Sequence, residues 1–302
     1  MSIEVQNISK LYGAQKALND VSFSVGSSEI VGFLGPNGAG KSTMMKILTC
    51  YIPPTSGSAK VCGFDVSAES LDVRRQIGYL PEHNPLYHDM YVKEFLEFAG
   101  GLYGINNVRK RAAEMIGVTG LGPEQNKKIG ALSKGYRQRV GLAQAMIHNP
   151  KVLIMDEPTT GLDPNQLEEI RGLIRALGKE KTVMLSTHIM QEVEAICDRV
   201  IIVDKGQVVA NDATTKLRQS STLQIVTVEF DAEVMEDELK ALYGVDQVKH
   251  LQAHTWQLSS AGSADVRKVI FEFAVNRKIS VLTLSKEEQR IEDVFKHLTR
   301  KR

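Results

Sequence analysis

The sequence predicts an α/β protein: a core that carries an antiparallel β subdomain and a helical insert, followed by a small C-terminal α+β domain of ferredoxin-like character. Three observations predict it. Short apolar runs such as Ile30–Leu34 and Val152–Met155 alternate with stretches of helical spacing. One of those runs passes directly into Gly35-Pro36-Asn37-Gly38-Ala39-Gly40-Lys41-Ser42-Thr43 and then into the helix-forming Met44-Met-Lys-Ile-Leu48. Beyond about residue 217 the pattern changes to a short succession of β-α-β-β-α-β-α.

Taken in order, Ile3 and Val5, then Val21, Phe23 and Val25, alternate with polar residues, the signature of antiparallel strands with one wet face. Between them Leu11-Tyr12-Gly13 reads as a turn bearing an exposed aromatic. Tyr12 could simply fill that turn, or could stack on a purine ring. Ile30 to Leu34 reads as a buried strand and Ser42 onward as a helix, with Gly35-x-x-x-x-Gly40-Lys41-Ser42 at the join. This is the context that distinguishes a P-loop from a chance glycine-rich loop, which composition would produce about once in a hundred chains of this length. Its glycines let the backbone curl so that several N–H groups face one oxyanion, and the helix N-terminus adds partial positive charge. Lys41 is placed to bridge the β- and γ-phosphates, and the Ser42 hydroxyl to ligate Mg²⁺. The core is therefore read as a P-loop NTPase.

Ile52-Pro-Pro-Thr-Ser-Gly57 reads as a loop, Ala59–Val61 and Ile77–Leu80 as short strands, with Glu82 just after the second. Val92–Tyr103 and Val108–Ile116 have helical spacing, and with the helix that follows Leu132-Ser133-Lys134-Gly135-Tyr136 they make an insert over about 83–147. Ser133 is well placed as a helix N-cap, and Ser133 with Gly135 at a helix start could also meet an anion. Lys151–Glu157 reads as a buried strand ending in two acids. Adjacent carboxylates repel unless a cation or proton offsets them. With a P-loop upstream, Asp156 is read as the Mg²⁺-associated acid and Glu157 as the base that polarises the attacking water. Asp163 is free to cap the next helix, and Val183–His188 reads as a further buried strand ending in a histidine that could reach a γ-phosphate. Helix 189–196 and strands 200–203 and 208–210 complete this part.

Ser-rich residues from Leu217 read as a linker. Val226–Phe230, Met235–Tyr243, Val248–Leu251, Trp256–Leu258, a helix through Val266 and Phe273, Ile279–Leu284 and a last helix through Ile291 and Leu298 follow. The domains are thus expected at 1–215 and 216–302. Composition narrows the function. In 302 residues, 37 Lys plus Arg nearly balance 36 Asp plus Glu, so no global basic field argues for nucleic acid. No apolar run is long enough to span a bilayer and the start lacks a signal-peptide pattern. Three scattered cysteines fit a reducing cytoplasm.

These residues resemble the ATP-binding subunits of ABC transporters across roughly residues 1–215. Gly35–Thr43 resembles Walker A, Val152–Glu157 Walker B with its catalytic glutamate, Leu132–Gln138 the signature, Gly161-Leu162-Asp163 the D-loop, His188 the switch histidine and Tyr12 the adenine-stacking position. Two departures stand out. The usual Leu-Ser-Gly-Gly-Gln is here Leu-Ser133-Lys134-Gly135-Tyr136, and the usual Q-loop glutamine is Glu82, which can still ligand Mg²⁺. The variant pattern looks like the bacterial drug- and sodium-exporter branch, and the run from Leu132 to Gln144 looks like that branch's gliding-motility ATPase. The resemblance implies ATP and Mg²⁺ as cofactors, and two copies sandwiching two ATP molecules. Ser133 and Gly135 of one copy would complete the site at Lys41 of the other, with His188 and Asp163 holding the γ-phosphate and water. It further implies a separate integral membrane permease, with this chain cytoplasmic and peripheral on the inner face of the membrane. The alternative is a soluble ATPase of the family that clamps another macromolecule by ATP-dependent dimerisation.

Overall fold

The computed structural model describes residues 1–216, 224–260 and 265–287. The chain divides into two compact units, Met1–Ala213 and Thr214–Arg302.

In the first unit, β1 (Ile3–Tyr12) pairs antiparallel with β2 (Gln15–Val25) and β4 (Ser56–Val61), and β4 with the two-residue β5 (Phe64–Asp65), in the order β2-β1-β4-β5. The expected alternation holds: Ile3, Val5 and Ile8 of β1 and Val21, Phe23 and Val25 of β2 are buried. The second sheet contains β3 (Ile30–Leu34), β6 (Ile77–Leu80), β7 (Val152–Asp156), β8 (Thr182–Thr187), β9 (Arg199–Asp204) and β10 (Gln207–Ala213), in the order β10-β9-β3-β8-β7-β6. Its first five strands are parallel and β10 is an antiparallel edge, joined to β9 through Lys205 and Gly206, both at positive φ. Consecutive positive φ is the geometry of a tight hairpin turn whose twist matches its strands.

Strands β3, β7 and β8 are buried along their whole length, as a sheet covered on both faces requires. Helix α1 (Lys41–Leu48) buries Met44, Met45, Ile47 and Leu48. These residues join one continuous core containing Ile3, Val5, Phe33, Ile154, Met184 and Ile201, so the two sheets and α1 share a single interior. Phe23 and Phe33, one from each sheet, meet at 5.6 Å between ring centroids.

The insert contains α3 (Val92–Leu102), α4 (Val108–Val118) and α5 (Lys134–Met146). Asn107 caps α4 and Ser133 caps α5, as side-chain oxygens at N-caps do. At the far end of α5, Arg111 of α4 donates to the carbonyls of Met146 and Ile147, each at 2.9 Å, and so satisfies oxygens the helix cannot. Helices α6 (Pro164–Gly178) and α7 (Met190–Ile196) complete the unit. Neither β5 nor α2 (Ser70–Gln76) was expected from the sequence: β5 has only two residues, and α2 buries only Val73, too narrow an apolar stripe to register as a period.

The second unit has its own core of Val226, Val228, Phe230, Leu239, Trp256, Leu258 and Ile270. Its elements are β11 (Gln224–Phe230), α8 (Glu236–Lys240), β12 (Gln247–Gln252), β13 (Thr255–Ser260), α9 (Val266–Arg277) and β14 (Val281–Glu287). All neighbours in the sheet, ordered β12-β13-β11-β14, are antiparallel, which is the ferredoxin-like arrangement. Helix α8 is shorter than the expected 235–243, because the chain turns through Ala241 and Leu242 to Gly244 at φ 82. The expected linker at 217–223 and the last helix through 291–298 lie outside the described residues.

His148, just past α5, stacks on Tyr103 at 4.0 Å and bonds the Ile77 carbonyl through Nε2 at 3.0 Å. Burial holds its pKa below the ordinary 6.5. The unfolded chain therefore binds this proton more readily, and stability drains away as pH falls below 6.5 toward the depressed value. Urea denaturation of wild type against His148→Gln at a series of pH values should show the wild type losing ground below that point.

Candidate functional site

The register of the parallel sheet fixes the geometry of the site. Leu34 pairs with Thr187, and Asp156 with Ser186, so the ends of β3, β8 and β7 lie side by side at one edge. The loop after β3, the acids after β7 and the histidine after β8 consequently emerge together, at the carboxyl edge where α/β sheets hold ligands.

The glycines of the loop are required in different ways. Gly40 is the N-cap of α1 at φ 104, and a Cβ there would stand 2.5 Å from the Ala17 carbonyl oxygen. Gly35 is equally crowded, 2.5 Å from the Val203 carbonyl oxygen, whereas Gly38 faces open space and is needed only for its φ of 80. The loop closes on itself through Ala39 N–H to the Pro36 carbonyl at 3.2 Å.

Lys41 is 6 % exposed and donates to the carbonyls of Gly35 at 2.9 Å and Pro36 at 3.3 Å. Its ammonium also stands 3.7 Å from the Glu157 carboxylate, which is 8 % exposed. Ser42 donates to Asp156 at 3.2 Å, and the Ser186 hydroxyl makes a short hydrogen bond to the same carboxylate oxygen. Glu157 lies one residue past β7 at φ 51, a conformation uncommon for a residue with a side chain. Its N–H reaches the Ser186 hydroxyl at 3.1 Å, its carboxylate accepts from Thr160 Oγ1 at 3.1 Å, and His188 Nδ1 lies 2.9 Å from Oε2. Two adjacent acids are thus offset by one buried ammonium, three hydroxyls and an imidazole, the condition under which buried carboxylates persist.

These groups line a cleft of about 560 Å³ with Tyr12, Gln15, Ala17, Asn37, Gly38, Gly40, Thr43 and Glu82, a size suited to a small-molecule ligand. Tyr12 is 48 % exposed at its rim, with Lys10 Nζ 5.4 Å from the ring centroid. Exposed Glu82 also lines an adjoining hollow with Ser42, Tyr79 and Asp156. Burial, reinforced by the Asp156 charge, raises the pKa of the Tyr79 phenol there.

Of the residues expected at the site, Lys41, Ser42, Thr43, Asn37, Gly38, Gly40, Glu157, His188, Tyr12 and Glu82 share the cleft. Asp156 is bonded to Ser42 and faces the adjoining hollow. Gly35, Pro36 and Ala39 form the loop beneath. Ser133, Gly135 and Asp163 are not among the lining residues of this cleft. Ser133 accepts from Tyr136 N–H at 3.4 Å, Gly135 packs on Gln166, and Asp163 caps α6 by accepting from Gln166 N–H at 2.9 Å. Ser186 and Thr160 were not anticipated. Ser186 becomes visible only through its strand register opposite Asp156, and Thr160 only through the reversal of the chain after Glu157.

The chain matches the family model described as "ABC transporter" over residues 18–160. It is 32 % identical to the linearmycin resistance ATP-binding protein LnrL of Bacillus subtilis (strain 168), over 98 % of both chains. It is also 32 % identical to the bacitracin transport ATP-binding protein BcrA of Bacillus licheniformis, over 97 % of this chain and 95 % of that one. Among solved structures, the dimeric post-hydrolysis state of the ATP-binding cassette MJ0796 bound to ADP and Pi superposes with a TM-score of 0.64. Identity is 28 %, and the match covers 70 % of this chain and 98 % of that chain.

Replacing Ser186 by Ala removes one donor from buried Asp156 and one of two acceptors of the Glu157 N–H, which keeps the Ser186 carbonyl at 3.2 Å. Chemical denaturation should show a loss of about 1.5–3 kcal/mol, the scale of one hydrogen bond to a charged group.

Proposed function

We propose, from the premise that this chain belongs to the ABC transporter family of ATP-binding proteins, that it is the motor subunit of an exporter, closing as a pair of copies around ATP to drive a separate membrane permease. The chain is an ATPase of that family. The observation that carries the finer reading is the division of the expected phosphate-binding groups. Lys41, Ser42, Glu157 and His188 share one cleft while Ser133 and Gly135 do not line it. A second copy presenting its Ser133 and Gly135 over the γ-phosphate would complete the site, and the likeness to a dimeric cassette supports that arrangement.

Within one copy, Tyr12 at the rim would stack on the base and the amides of 35–43 would surround the phosphates. Lys41 would exchange its carbonyl partners for phosphate oxygens, a short rearrangement because its ammonium already faces the loop. Glu157 would take the proton of the attacking water, with Thr160 holding its carboxylate in direction and His188 beside it reaching the γ-phosphate. Asp163 of the facing copy would steady the water. The Ser42 hydroxyl and Asp156 carboxylate, 3.2 Å apart, are hard oxygen donors that fit Mg²⁺ shared with phosphates, and Glu82 is a further candidate ligand. When bound, that ion supplies charge neutralisation at the transferred phosphoryl group.

LnrL and BcrA are named for linearmycin resistance and bacitracin transport, which supports an export role here. Among the described residues no helix is long and apolar enough to cross a membrane. The narrower kinship to a gliding-motility ATPase rests on the run Leu132–Gln144 alone.

Glu157→Gln keeps the shape of the site and removes the base. ATP turnover by the purified chain should fall at least about 10²-fold, the scale of general-base catalysis. Light scattering should meanwhile detect ATP-dependent pairs that the wild type dissolves by hydrolysis. Turnover at the wild-type rate would contradict the assignment.

A further inference from the structure

His188 is 44 % exposed, and its ring hydrogen bond is to Glu157. That one partner holds the ring from one side, and its place depends further on the backbone at the end of β8. That backbone is pinned from both sides by one hydroxyl. Thr187, fully buried, donates from Oγ1 to Glu192 Oε2 at 2.8 Å and accepts from Ile189 N–H at 3.0 Å. The residues flanking His188 are thus tied to a single oxygen. A hydroxyl has one proton to donate, so its engagement by Glu192 leaves a lone pair turned to Ile189.

Glu192 is itself 0 % exposed, and its other carboxylate oxygen has no hydrogen-bond partner. A buried acid with half its capacity unpaired is a poor choice for stability, where an apolar side chain would cost less. The helix that carries it is firmly seated: Val193 and Cys197 of the same stretch press on β3, so a Cβ at Gly32 would lie 3.1 Å and 3.0 Å from them. Glu192 is therefore a fixed post on an element that rests against the strand feeding the phosphate loop.

We infer that Glu192 and Thr187 are positioning residues for His188, a buried relay that sets the direction of the imidazole and keeps it in step with the loop at 35–43. The inference rests on the reading of His188 as a group that acts at the scissile phosphate.

The test is steady-state ATP hydrolysis by the full chain. Thr187→Val, which keeps shape and loses the hydroxyl, and Glu192→Ala should each lower kcat about tenfold, the lower end of what losing an outer-shell partner of a functional histidine costs. The KM for ATP should stay within about twofold, because uniform nucleotide binding is untouched. Thr187→Ser and Glu192→Gln, which preserve the hydrogen bond, should restore most of the turnover. In a His188→Ala background, Glu192→Ala should cause no further loss, since the partner it orients is gone. Wild-type kcat in Thr187→Val, or failure of Thr187→Ser to exceed Thr187→Val, overturns the inference. So does an undiminished effect of Glu192→Ala in the His188→Ala background. If Glu192→Ala does not fold, the two Thr187 variants decide. Full turnover in His188→Ala alone would instead remove the underlying reading of His188.

Discussion

The register of three parallel strands is the constraint from which the site follows. Pairing Leu34 with Thr187 and Asp156 with Ser186 brings the glycine-rich loop, two acids and a histidine to one edge of the sheet. A slip of one residue would turn each of these side chains to the opposite face. What holds the register is the uniform burial of β3, β7 and β8 and a core that runs unbroken from the antiparallel sheet through α1 into the parallel one. The candidate site is thus secured by packing well away from it.

Charge is the second constraint. The site concentrates Asp156, Glu157 and Lys41 where water is largely excluded, and a buried charge survives only with partners. Lys41 is held by the loop's own carbonyls and by Glu157, while Asp156 is held by Ser42 and Ser186. Each of these partners is one that a triphosphate and its metal ion could replace. On the proposed reading, ATP would displace these contacts on binding and find the charges already in place for phosphoryl transfer.

Much of this was legible in the chain. Gly35–Thr43, Asp156-Glu157 and His188 declare themselves because each lies in or beside a short contiguous run whose context, strand then turn then helix, is itself readable. The α/β core and the ferredoxin-like order of the second unit were readable for the same reason, while the direction of the core strands was not. Ser186 and Thr160 were not, because their roles arise from juxtaposition across strands and turns that spacing does not encode. Helix α2 escaped notice because one buried valine makes no period. For Ser133 the local reading holds, since it caps α5 within the chain, whereas its family role belongs to the proposed function.

The most direct test of the central claim is a crystal structure of Glu157→Gln with ATP. The account predicts the triphosphate in the curl of residues 35–43, with Lys41 moved from the Gly35 carbonyl onto phosphate oxygen and Ser133 and Gly135 of a second copy closing over the γ-phosphate. A nucleotide bound elsewhere, or a closed pair in which the Ser133 loop faces away from it, would contradict the account.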